Sequence, residues 1–157
     1  MPPLVIVLVG VIGIGSLLIR SLGVLLAAKV GGIHVTDFNI LDGLEIGVAE
    51  RWGIRWHLNL GVFSGGVRML GSRSDEGEGS FVRATPRQQA LVYVAGGLSN
   101  TILGVVFLLG SLYSPFAPLL FLAAFNLTFG LMSLLPIPPL NGGMALRCLL
   151  KGRASKA

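Results

Sequence analysis

Leu134-Leu-Pro-Ile-Pro-Pro-Leu-Asn-Gly-Gly143 is the stretch from which the rest of the chain can be read. Pro136, Pro138 and Pro139 have no N–H to give a helix, and their rings crowd the preceding turn. A helix arriving from the N-terminal side therefore stops at Leu135. What arrives is an apolar run, Ala117 to Leu135, with Asn126 as its one strongly polar member. What leaves is predicted as a short helix over 142–150, with Asn141 as the residue type that caps a helix start. The segment 136–143 is thus a proline loop between an apolar helix and a short one.

Outward from this loop, Ser114-Pro115 and Pro118 predict a tight turn, and Gln89 to Leu112 a second apolar helix. Gly96, Asn100 and Gly104 recur there at every fourth position, so they share one face on which backbones can approach closely in lipid. Leu4 to Ala28 reads as a first helix, interrupted only by glycines, Ser16, Arg20 and Ser21; Gly10 and Gly13 thin one side of it for packing on another helix. At 1.5 Å per residue, 4–28 is long enough to cross a hydrocarbon core of ~30 Å, and 89–112 and 117–135 are read as two further spans. Ile33 to Gly71 has strand character, with strands expected near 33–40, 44–50, 54–60 and 66–70 between Asp42-Gly43, Gly53 and Gly65-Gly66. Leu58 to Leu70 is too apolar for a solvated hairpin, and non-helical backbone at membrane depth must be buried in protein or line a cavity. The segment 72–86, with Asp75-Glu-Gly-Glu-Gly79, reads as a polar, solvated loop. The expected fold class is membrane α+β in a single domain over 1–157: three transmembrane helices, a β-rich segment between the first two, and a short C-terminal helix.

Composition agrees. Of 157 residues 53% are apolar and 12% charged, against about 25% charged in a soluble domain. The net +5 is not a nucleic-acid signal. All seven acids lie between Asp37 and Glu78, among seven bases; four more bases, Arg147, Lys151, Arg153 and Lys156, form a C-terminal tail suited to anionic lipid. The single Cys148 permits no internal disulfide. By the positive-inside rule the N-terminus is expected outside, with the β-rich segment and tail cytoplasmic. A prokaryotic inner membrane is expected, because no targeting extension precedes the first helix.

Three separated stretches resemble the site-2 protease family of intramembrane zinc metalloproteases, peptidase M50. Leu18-Ile-Arg-Ser-Leu-Gly-Val-Leu-Leu-Ala-Ala-Lys29, followed by Gly32-Ile-His-Val-Thr-Asp-Phe38, is similar to the family's I-H-E-L-G-H-x-L-A-A-K and G-V-x-V-x-x-F. Gly65-Gly-Val-Arg-Met-Leu-Gly71 and Ala95-Gly-Gly-Leu-Ser-Asn100 resemble its G-G-Y-V-K-M-L-G and A-G-P-x-x-N. The stretch 134–143 resembles its L-L-P-I-P-P-L-D-G-G.

The resemblance implies a zinc ion held by two histidines one helical turn apart and by an aspartate of the proline loop, with a glutamate as general base. Arg20, Ser21, Val24 and Asn141 occupy those positions. Arginine and valine offer no lone pair, serine is a poor base, and asparagine is at best a weak neutral ligand. Ser133 and Gly97 also depart from the family's Asn and Pro, and there is no room for a PDZ domain. Ser133, Pro136, Pro138, Pro139, Leu140 and Gly142 form the supporting loop. The expectation is a catalytically dead member with no metal and no cofactor, acting as a scaffold or accessory subunit among other membrane proteins. A divergent metalloprotease, or a protein binding lipid or a small ligand in the vestigial cavity, are the alternatives. His34 and His57 have no recognisable ligand pattern around them and are read as surface or interface residues. Arg20 is expected to replace the metal by donating to Asn141 and to carbonyls of 136–140; snorkelling to lipid phosphate or pairing with a partner's acid are the other readings.

Overall fold

The computed structural model describes residues 3–61, 65–72, 77–114 and 116–154. Among them four helices and a four-stranded sheet follow in the order α1 (Pro3–Val30), β1 (Val35–Asn39), β2 (Leu44–Arg51), β3 (Ile54–Leu60), β4 (Gly66–Met69), α2 (Pro86–Tyr113), α3 (Pro118–Leu134) and α4 (Asn141–Ala154). All four strands lie where β-branched runs between glycines predict them.

The end of α1 is fixed by chemistry local to Gly31-Gly32. Ile33 N–H donates to the Ala28 carbonyl (2.8 Å) and Gly32 N–H to that of Lys29 (3.0 Å), with Gly32 at φ 67°. This Schellman arrangement needs a residue without Cβ at the left-handed position. It turns the chain back so that β1 runs along α1. Trp52 and Gly53, both at positive φ, form the two-residue turn that joins β2 to β3.

The sheet order is β2-β3-β1-β4, with β1 parallel to β3 and both edge pairs antiparallel. Alternation along β3 puts Ile54 and Trp56 on the face toward the helices, and Arg55, His57 and Asn59 on the other. Phe38 (1% exposed) packs on Trp56 with ring centroids 4.7 Å apart, in a core with Leu25, Ala28, Ile33, Phe81 and Val92. Burying each large member of this core contributes about 1.5–3 kcal/mol.

Two helices are long and apolar enough to cross a membrane, Gly10–Val30 within α1 and Pro86–Tyr113; α3, with 17 residues, is an apolar helix below that length. Three spans were expected; α3, expected over 117–135, runs from Pro118 to the proline loop after Leu134. The outer faces of α1 and α2 carry exposed Ile6, Val11, Leu22, Leu26, Ile102 and Leu109. In water such faces would be left uncovered, whereas lipid covers them. The far end of the sheet follows α1 inward: Leu41 and Gly61 border a groove with Gly10, Gly13 and Leu17, roughly 20 Å back from Val30 along the helix.

The short C-terminal helix was expected over 142–150 and runs from Asn141 to Ala154. Asn141 is its first residue, not its cap: the Leu140 carbonyl already accepts from Met144 N–H (2.9 Å). In the loop 72–86, Asp75 and Glu76 lie outside the described residues. Its last part is held, since His34 N–H donates to the Gly79 carbonyl (2.9 Å) and Phe81–Arg83 form a 3-10 turn.

Candidate functional site

The helices meet in one layer, and glycines set its spacing. A Cβ on Gly96 of α2 would come within 3.3 Å of Arg20 Cγ and Nε and 3.2 Å of Val24 Cγ2, so both α1 side chains lie directly over Gly96. The next residue, Gly97, faces α3, where a Cβ would collide with Ser133 Oγ and stand 2.8 Å from Leu134 Cγ. Gly142 at the start of α4 is pressed against the Leu134 carbonyl, and Gly143 against the Ile137–Pro138 peptide. Arg20, Val24, Ser133, Leu134 and Gly142 are thus linked through the Gly96–Gly97 pair. Ser21 is buried, and Asn141 is half-buried.

The loop residues Pro136, Pro138, Pro139 and Leu140 fold over the first turn of α4, with Leu140 N–H donating to the Ile137 carbonyl (2.9 Å). A little deeper, Asn126 of α3 is fully buried and donates to Ser16 of α1 (3.2 Å). Asn100 and Gly104 are buried in the same helix interface, and a Cβ on Gly104 would stand 2.7 Å from Leu127 Cγ. The helix contact expected at Gly10 and Gly13 is not made among the described residues: a Cβ on either meets no atom within 4 Å. They border the open groove, opposite Phe121, Phe125 and Phe129 of α3.

No hydrogen bond or ion pair joins Arg20 to Asn141 or to the loop carbonyls among the described residues. The expected tie between helix and loop is replaced by contact of the arginine stem with Gly96. Helix α4 packs chiefly on α2, while Arg20 of α1 meets α2 at Gly96.

A second polar constellation lies on the outer face of the sheet. His57 donates from Nδ1 to Glu45 Oε2 (2.8 Å) and from Nε2 to Asp37 Oδ1 (3.0 Å). Asp37, only 3% exposed, also receives Thr36 Oγ1 (2.7 Å) and Arg55 (3.0 Å). Ionised carboxylates accept only, so an imidazole placed between two of them satisfies both only as the doubly protonated cation. The hydrogen bonds to Glu45 and then Asp37 accordingly raise the His57 pKa. Burial pushes Asp37 upward, but the Thr36 and His57 hydrogen bonds, with Arg55 and Arg68, outweigh it and hold the carboxyl below its ordinary value. When protonated, this one imidazole fastens β1 and β2 to β3.

The family model described as Peptidase family M50 matches residues 10–117, which take in α1, the sheet and α2. The chain belongs to peptidase family M50. Within the curated proteins, the Clostridium perfringens (strain 13 / Type A) protein named "Putative zinc metalloprotease" is 32% identical over 100 residues, covering 60% of this chain and 28% of the relative. The chain thus spans little more than a quarter of that relative's length.

M50 membership makes zinc the metal to test against the residues present, and they do not fit. Of the four positions that correspond to the family's ligands and base, Arg20 brings a fixed positive charge, Val24 a hydrocarbon and Asn141 a neutral amide. The histidines do not form a substitute site. His34 stacks against Gly79, while both His57 nitrogens are turned to carboxylates. Among the described residues no group of three or more His, Cys, Asp or Glu is disposed to hold a metal ion. Sequence reasoning missed the Asp37–His57–Glu45 clamp. Its only trace was the Arg55, His57, Asn59 alternation, which marks a polar face without naming the partners.

Proposed function

We propose that this M50 protein is non-catalytic and acts by binding, as an accessory or scaffold subunit beside other membrane proteins. The observation that carries the reading is the donor set at the metal positions: an arginine and a valine where two imidazoles are needed leave zinc with no first pair of ligands. The helices around those positions are nevertheless closely packed. Gly97 and Ser133, the two further departures from the family pattern, touch each other, as expected where a fold is retained after its chemistry is lost.

Strand β2 offers the binding surface. It is an edge strand exposed along all eight residues, with Leu44, Ile46 and Val48 uncovered. An extended segment of a membrane partner adds there by main-chain hydrogen bonds, without being cut. In this reading α3 completes a third crossing, its 17 residues covering about 26 Å. Lys29, Arg87 and the C-terminal bases then lie on the cytoplasmic side of a prokaryotic inner membrane.

The test is purification in mild detergent, followed by metal analysis and identification of co-purifying chains. Zinc far below one per chain, together with a membrane protein in fixed ratio, is the expected result. Stoichiometric zinc, or cleavage of a membrane substrate, would overturn the proposal.

A further inference from the structure

Where α4 crosses the entry of α2, the chain leaves an uncovered groove of 620 Å³ between Pro86 and Arg87 on one side and Leu146, Leu149 and Leu150 on the other. Gly152 presses on the Pro86 ring, where a Cβ would stand 2.8 Å from its Cβ. That contact fixes the angle between the helices and keeps the groove open above it. The three leucines are 42–54% exposed.

Around these apolar walls the charge has one sign. Arg87, Arg147 and Lys151 are exposed and make no ion pair among the described residues. Arg147 and Lys151 are one turn apart, beside the Leu146–Leu150 row. No acidic residue follows Glu78 in the sequence, so nothing from α2, α3 or α4 neutralises them. The groove also has a defined depth. Pro86 begins the span Pro86–Tyr113, which puts it at a bilayer surface, where lipid phosphates are.

We propose that this groove binds an anionic phospholipid, one acyl chain lying against Leu146, Leu149 and Leu150 and the phosphodiester held by Arg87 and Lys151. The chemistry selects that occupant. A soluble anion leaves the leucines bare, a zwitterionic lipid leaves the cations without a net counter-charge, and an apolar partner helix neutralises none of them. The site stands apart from the metal positions and from β2, so it does not depend on the accessory-subunit reading.

The experiment is native mass spectrometry of the full chain released from nanodiscs of equal phosphatidylglycerol and phosphatidylcholine. Selective retention of about one phosphatidylglycerol per chain is expected. The double variant Arg87→Gln/Lys151→Gln should weaken that retention about 30-fold, each cation near the surface contributing about fivefold. Leu149→Asn, which keeps the charges, should also weaken it. Equal retention of both lipids, wild-type retention by the double variant, or a second protein chain in place of lipid would overturn the proposal. So would displacement of the lipid by millimolar inorganic phosphate with Leu149→Asn unaffected, an outcome that would assign the site to a free anion. All three substituted side chains are exposed at their own positions or in the groove, and unchanged thermal unfolding checks that the variants are folded.

Discussion

The helix layer and the outer face of the sheet are built on opposite principles. In the layer, backbones and side chains approach until a Cβ would collide at Gly97, Gly104, Gly142 and Gly143 and be crowded at Gly96, and no ion pair takes part among the described residues. On the sheet, Asp37, Glu45, Arg55 and His57 hold three strands by charge and hydrogen bonds. Steric fit cannot be tuned by solution conditions, whereas a protonated imidazole can. The layer is therefore held by steric fit, and the sheet is the part whose cohesion answers to pH.

The contrast breaks most visibly at Gly142. Gly142→Val pushes a side chain into the Leu134 carbonyl, which is main chain and cannot rotate away. The expected cost is about 3 kcal/mol, read as a lowered unfolding temperature in a thermal-shift assay; wild-type stability would mean the loop is not packed as described. Next comes His57→Leu, which removes the cation between two carboxylates and leaves Glu45 without its partner. A destabilisation of about 1–3 kcal/mol is expected, with the loss of protection from hydrogen exchange concentrated in β2.

The pH effect is smaller and has a definite sign. The folded-state pKa of His57 is raised, so the clamp contributes fully below the ordinary value of about 6.5 and is lost as pH rises through the raised pKa. Asp37 runs the other way: its contribution is present above about 3.9 and is lost as pH falls through its depressed pKa. Titration of the His57 ring carbons by NMR should give a midpoint above about 6.5, and a midpoint at or below that value would remove the clamp. The smallest effect is expected at Arg20. Arg20→Leu keeps the packing on Gly96 and forfeits no hydrogen bond within the chain, so stability should change by less than about 1 kcal/mol. A larger loss in a bilayer, absent in detergent, would show that lipid or a partner subunit satisfies the guanidinium.

Legibility followed the range of the interactions. Gly32, Gly53 and the prolines of 136–139 end or turn their segments through their own backbone chemistry, and each is visible in the sequence. The start of α2 was equally visible and was placed three residues late. Thr85-Pro-Arg-Gln88 is a capping box with proline in the first turn, and both of its reciprocal bonds are formed. Asn141 misled because its residue type favours a cap while the loop leaves Leu140 in that place. The glycines of α1 misled for another reason. Small residues permit close packing without compelling it, and α3 approaches α1 at Ser16 through Asn126 rather than at Gly10 and Gly13.

By itself the sequence determined the element order, the apolar helices, the positions of the four strands and the replacement of the residues that would bind zinc. The first three are properties of residue type, local backbone preference and periodicity; the last is what the resemblance to the M50 motifs implies. Only the tertiary structure decided that Arg20 lies over Gly96 instead of reaching Asn141, that Gly97 meets Ser133, and that Asp37 and Glu45 close on His57. Those contacts join residues 12 to 76 positions apart, and their geometry depends on strand register and helix approach, which no local pattern encodes.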